Sequence, residues 1–152
     1  NGIAFGPDGR IYVCNNGGFD TRIDDKGRLR ILSTLNSYVG GSIQAVDVAT
    51  GAVETLYTEV DGHRLSAPND LVFDASGGFW FTDHGKQWDR QRDHGGIYYA
   101  RPDGPHVEEV IYPVEGPNGI GLSPDDSRLS AAETHTGRVL YRSIVGPGDC
   151  PL

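Results

Sequence analysis

The chain has 152 residues, of which 37% are apolar and 22% charged, the composition of an ordinary globular domain and not of a disordered one. Thirteen basic against 21 acidic residues leave a formal charge of −8, which argues against a nucleic-acid partner, since a phosphate backbone is held by basic patches that release counterions. No apolar run has the length of a membrane span and no charged-then-apolar leader opens the chain, so no membrane partner is expected.

The sequence enters a strand-like pattern at Asn1 without an initiator Met and reads as a fragment of one domain, with a cytoplasmic location as the expectation and a lost targeting segment left open. Residues 1–18, NGIAFGPDGRIYVCNNGG, set a plan: Asn, a short apolar strand, a Pro/Asp/Gly turn, and a second strand. A long connection, NNGGFDTRIDDKGRLRILSTLNSYVG, follows and reads as a surface loop. A second hairpin, GGSIQAVDVATGAVETLY (40–57), comes after it. The plan returns at NDLVFDASGGFWFTDHGK (69–86), then a loop with WDRQRDHGG, then the hairpin GGIYYARPDGPHVEEVIY (95–112). It begins a third time at NGIGLSPDDSRLSAAETHTG (118–137), followed by GRVLYRSIVGPG. The arginines of RLR and WDRQRD are interleaved with acids and read as solvated loop surface.

This repetition gives four strands, four strands and three, with Gly and Pro interrupting every window long enough for a helix. Four-stranded meanders repeated in series are the sequence form of propeller blades, so the expected fold is all-β, a β-propeller. Approximate blades are 1–61, 62–112 and an incomplete 113–152, a partial ring of about two and a half to three four-stranded blades against the ~4–8 of a closed one. Cys14 and Cys150 belong to no paired-cysteine motif, so neither a disulfide framework nor a cysteine metal site is expected. Trp80 and Phe81 alternate across one strand and should face different neighbours.

If the first strand of each blade lines the channel, Asn1, Asn69 and Asn118 stand at one mouth together with the long second-to-third loops, where a ligand site is expected. Amide oxygens are ligands for hard divalent cations. Asn before Gly or Asp is also a common turn residue, the better reading for any single one. Three equivalent copies favour metal or substrate for Asn69 and Asn118 and leave Asn1 evenly divided. Asp70 should point the other way along the strand and cap backbone amides. No helix follows NNGG or DHGG to form a phosphate site, and Ser66 and Ser123 lack a nucleophile elbow.

The segments PNDLVFDASGGFWFTD, GGIYYARPDG and PNGIGLSPDDSRLSAAETHTGRV resemble the senescence marker protein, gluconolactonase and luciferin-regenerating-enzyme-like family, along nearly the whole chain. The resemblance implies a six-bladed propeller that hydrolyses lactones with one divalent metal, usually calcium with zinc as an alternative, over the channel. It implies metal contacts for Asn69 and Asn118 and places Asn1 on the channel wall. A further Glu and the Asp that would serve as catalytic base fall on positions outside these residues. Asp83 and His84 are expected, with Asn1, to contact substrate; a strand-end role for Asp83 and an exposed-loop role for His84, His94 and His135 are the competing readings. Glu133 is expected to be structural, with a channel-facing role as the alternative. Relatives carry bulkier residues where Ser130 and Ala131 stand. The function expected is metal-dependent opening of a small-molecule lactone, with a non-catalytic binding propeller or a strictosidine-synthase-like relative as alternatives. Oligomeric state is left open.

Overall fold

The computed structural model describes residues 1–104 and 106–151. Among them are fifteen strands and no helix, and none is a helix long and apolar enough to cross a membrane. The first blade pairs β1 (Ile3–Phe5), β2 (Ile11–Asn15), β5 (Ser42–Val46) and β6 (Val53–Tyr57) as an antiparallel meander. The second pairs β9 (Pro68–Phe73), β10 (Phe79–Asp83), β11 (Gly95–Ala100) and β12 (Val107–Val114) in the same order. The third holds β13 (Pro117–Leu122), β14 (Arg128–Glu133) and β15 (Arg138–Ser143). Leu152, the end of the last expected blade, lies outside the described residues.

Four further strands lie where the sequence suggested only connections. β3 (Phe19–Ile23) and β4 (Leu29–Thr34) form a hairpin inside the long loop after β2, and β7 (Glu59–Val60) with β8 (His63–Arg64) form a short one between blades. The Asp-Asp-Lys-Gly turn at 24–27 closes the first hairpin, with the Asp24 carboxylate accepting the Lys26 and Arg28 amides. Ile23, Leu29 and Ile31 of this hairpin are exposed.

The core lies between the blades, and β10 divides it by the two-residue period of a strand. Phe79 and Phe81 point into a cluster with Tyr12, Ile43, Ala45 and Tyr98 that joins the first blade to the second. Phe81 stacks on Tyr98 at 5.1 Å and Tyr12 meets Phe73 edge-on at 5.0 Å. Trp80 points the other way, into a cluster with Ile97, Tyr99, Leu129 and Ala131 that joins the second blade to the third. Ala131 is buried in this layer while Ser130 beside it faces out, so the short side chain there sits under Trp80's cluster and not on the open face. Both faces of β10 are buried, which is why FWFTD has no polar positions until Thr82.

The outward faces of the two end blades are apolar. Ala4 packs inward while Ile3 and Phe5 on β1 are exposed, and Leu140 packs inward while Val139 and Tyr141 on β15 are exposed. These are the surfaces that an adjoining blade of a ring would cover.

Candidate functional site

The innermost strands β1, β9 and β13 start side by side at one mouth because their backbones are cross-linked there. The Gly2 amide donates to the Asn69 carbonyl at 2.6 Å, and the Thr82 hydroxyl donates to the Asn118 carbonyl at 2.6 Å while accepting from the Asp70 amide at 3.2 Å. Asp70 caps backbone amides: its carboxylate accepts from Leu71 at 3.0 Å and, across the blade boundary, from Ile120 at 3.2 Å. This explains the residue after the first asparagine, since a Cβ on Gly2 would lie 2.3 Å from an Asp70 carboxylate oxygen.

The asparagine side chains at these starts are largely uncommitted. Asn118 is exposed, and its Nδ2 donates to Thr134 Oγ1 at 3.2 Å, while its Oδ1 has no hydrogen-bond partner among the described residues. Asn69 is half-buried and its amide has no hydrogen-bond partner among the described residues. Asn1 is exposed, with its backbone nitrogen donating to Cys14 at 3.0 Å. Two amide oxygens suit a hard cation but fall short of the roughly six to eight oxygens that calcium takes. Among the described residues no group of three or more His, Cys, Asp or Glu could hold a metal ion.

Asp83 makes the contacts of the strand-end reading that competed with substrate contact. It is 3% exposed, and its carboxylate accepts the backbone amides of Ser66 and Ala67 at 2.6 Å each and of Gly85 at 2.9 Å. Burial pushes this carboxyl above the usual range and the three amide donors oppose the shift. Asp83 thus anchors the turn that leads into Asn69. Its partners were invisible locally because two of them are 16 and 17 residues away.

His84 has its Nδ1 3.2 Å from the Pro117 carbonyl, beside the start of β13. His135 lies beside it, ring centroids 5.2 Å apart. His94 pairs instead with Glu115 at 3.1 Å, as does Arg92 at 2.6 Å. Glu133 is structural: its carboxylate accepts from Thr136, Arg138 and the Glu115 amide, contacts that hold it below the usual glutamate range.

The residue that sequence reasoning missed is Lys86. It is 1% exposed, donates from Nζ to the Gly18 carbonyl at 2.6 Å, and lies 3.7 Å over the Phe19 ring. Thr34 donates to the Gln87 carbonyl at 3.0 Å and Tyr38 meets Trp88 edge-on. Together these contacts clasp the β3–β4 hairpin onto the second blade, at the same mouth as the asparagines. Burial lowers the Lys86 pKa, and the nearby Asp83 charge opposes this. A cleft of about 410 Å³ near this clasp is lined by Arg64, Ser66, Asp83, Arg92, Tyr98 and Glu109 among others, and does not include the three asparagines.

Serial antiparallel blades with innermost strands that all start at one mouth define a β-propeller whose open channel end carries the polar site. The chain belongs to the SMP-30/gluconolactonase/LRE-like family, whose model matches residues 1–147. Among its relatives, the lactonase drp35 of Staphylococcus haemolyticus is 31% identical over 132 residues, 87% of this chain and 34% of that protein. The gluconolactonase of Zymomonas mobilis is 29% identical over 136 residues, 85% of this chain and 32% of that protein. The chain thus spans about a third of the length of these curated relatives. A solved gluconolactonase of Xanthomonas campestris superposes with a TM-score of 0.65 at 26% identity, covering 94% of this chain and 43% of that one. A second solved gluconolactonase-family structure, at 16% identity and a TM-score of 0.63, covers 99% of this chain and 61% of that one and bears on the fold alone.

Proposed function

We propose that the protein carrying these residues is a divalent-metal-dependent lactonase of the gluconolactonase type, and that this chain supplies part of its mouth. The observation that carries the reading is the pair of uncommitted amide oxygens on Asn69 and Asn118, at equivalent starts of adjacent innermost strands, in a chain whose relatives are named lactonases. Asn69 and Asn118 would hold a hard cation, calcium before zinc, jointly with residues outside this chain. When bound, such an ion would supply polarisation of the lactone carbonyl and a lowered pKa for a coordinated water.

The remaining work falls to this chain's fixed parts. Thr134 orients Asn118, and Thr82 fixes its carbonyl, so that the amide oxygen meets the mouth without rearrangement. Asp83 holds the turn before Asn69. On this reading His84 and Asn1 would touch substrate from the rim. A binding propeller is the second reading, and the observation that favours it is the exposed apolar face of Ile23, Leu29 and Ile31.

Hydrolysis of gluconolactone by the complete protein separates the two. Chelation with EDTA is expected to abolish turnover and added calcium to restore it. Turnover unaffected by exhaustive chelation would contradict metal dependence, and absence of turnover on sugar, aryl and acyl lactones alike would favour the binding propeller.

A further inference from the structure

His84 and His135 lie 51 positions apart in sequence, yet the fold holds their rings side by side, tilted at 49° with centroids 5.2 Å apart. The His84 amide donates to the Ala67 carbonyl at 3.0 Å, and the Thr134 amide donates to Gly116 at 2.9 Å, which fixes both backbones. The rings meet over Gly116, which has φ +63°. A Cβ there would lie 2.6 Å from His135 Nε2 and 3.1 Å from His84 Cε1, so the pair can exist only above a glycine.

We propose that His84 and His135 form a binding site for a borderline transition-metal cation of the Zn²⁺ or Ni²⁺ class, separate from the oxygen site of Asn69 and Asn118. Two features of the geometry point to it. First, the Pro117 carbonyl can only accept, so His84 Nδ1 carries the proton and Nε2 is left with a free lone pair. Ligating histidines characteristically have this arrangement, with the other ring nitrogen tied to a carbonyl or carboxylate.

Second, two imidazoles on one tetrahedral ion at about 2.0–2.1 Å must have ring centres roughly 5 Å apart. The rings here are 5.2 Å apart and inclined at 49°. The repulsion that Arg92 would exert on a cation is offset by its pairing with Glu115 at 2.6 Å. Imidazole nitrogen selects zinc, nickel or copper over calcium, whereas amide oxygens favour calcium, so the two sites should discriminate between ions. The proposal stands whether or not the protein hydrolyses lactones.

Calorimetric titration of the complete protein with ZnCl₂, NiCl₂ and CaCl₂ tests it, using wild type, His84→Gln, His135→Gln and Gly116→Ala. Outer-shell partners alone are worth about 10–100-fold in metal affinity. Each histidine substitution should therefore weaken zinc and nickel at least about tenfold and leave the calcium isotherm unchanged. Gly116→Ala should weaken zinc similarly by driving the rings apart. Zinc affinity unchanged in both histidine variants would overturn the proposal, as would stoichiometric competition between zinc and calcium for one site. In the wild type, zinc should protect His84 and His135 from diethylpyrocarbonate, read by mass spectrometry; unprotected histidines at saturating zinc would refute the site even if a variant fails to fold.

Discussion

Asp83→Ala is expected to destabilise the domain by on the order of 3–5 kcal/mol, read as a shift in the urea unfolding midpoint. The substitution strands three amide donors, those of Ser66, Ala67 and Gly85, of which the last two are buried, and each such loss costs about 1–3 kcal/mol. Removing a buried charge returns part of that penalty, which keeps the total below the simple sum. Asp83→Asn should cost less than Asp83→Ala, because one acceptor oxygen survives while the NH₂ group faces an amide donor. If Asp83 acted on substrate instead, the alanine variant would unfold at the wild-type midpoint and lose only activity.

Trp80→Ala should have an effect of comparable size, about 3–5 kcal/mol, by opening a cavity between the second and third blades. Trp80 is 0% exposed and packs edge-on to Tyr99 at 5.0 Å within the cluster that includes Leu129 and Ala131. Trp80→Phe is the informative control. The indole Nε1 is buried without a partner among the described residues, so its removal sacrifices no hydrogen bond. The phenylalanine variant should retain most of the stability lost in Trp80→Ala. Equal destabilisation by both would contradict the assignment of the loss to cavity volume.

What could be read in the sequence was what is encoded locally. The repeated asparagine starts, the PDGR, ASGG and PDDS turns and the alternation at Trp80 and Phe81 each report a neighbour within a few residues, and together they define the blades. The β3–β4 hairpin was also written locally, in the DDKG turn between Ile23 and Leu29, but its exposed apolar face gave no reason to expect a strand pair away from the core. The roles of Asp83, Lys86 and His135 were not legible. Asp83 meets the Ser66 amide 17 positions back, Lys86 meets the Gly18 carbonyl 68 positions back, and His135 meets His84 only because the third blade packs on the second. A carboxylate at a strand end and a histidine in a loop look alike in sequence whether they face solvent, substrate or backbone.

The asparagines carry the central claim, and Asn118 is the one whose amide is already held through its nitrogen, by Thr134. Calcium titration of the complete protein against its Asn118→Ala variant tests that claim most directly, with matched far-UV spectra to establish that both are folded. The account predicts calcium binding in the wild type and an affinity at least about tenfold weaker in the variant, as expected for loss of a direct oxygen ligand. Equal calcium affinity in two folded proteins would contradict it and return Asn118 to the role of a strand-start turn residue.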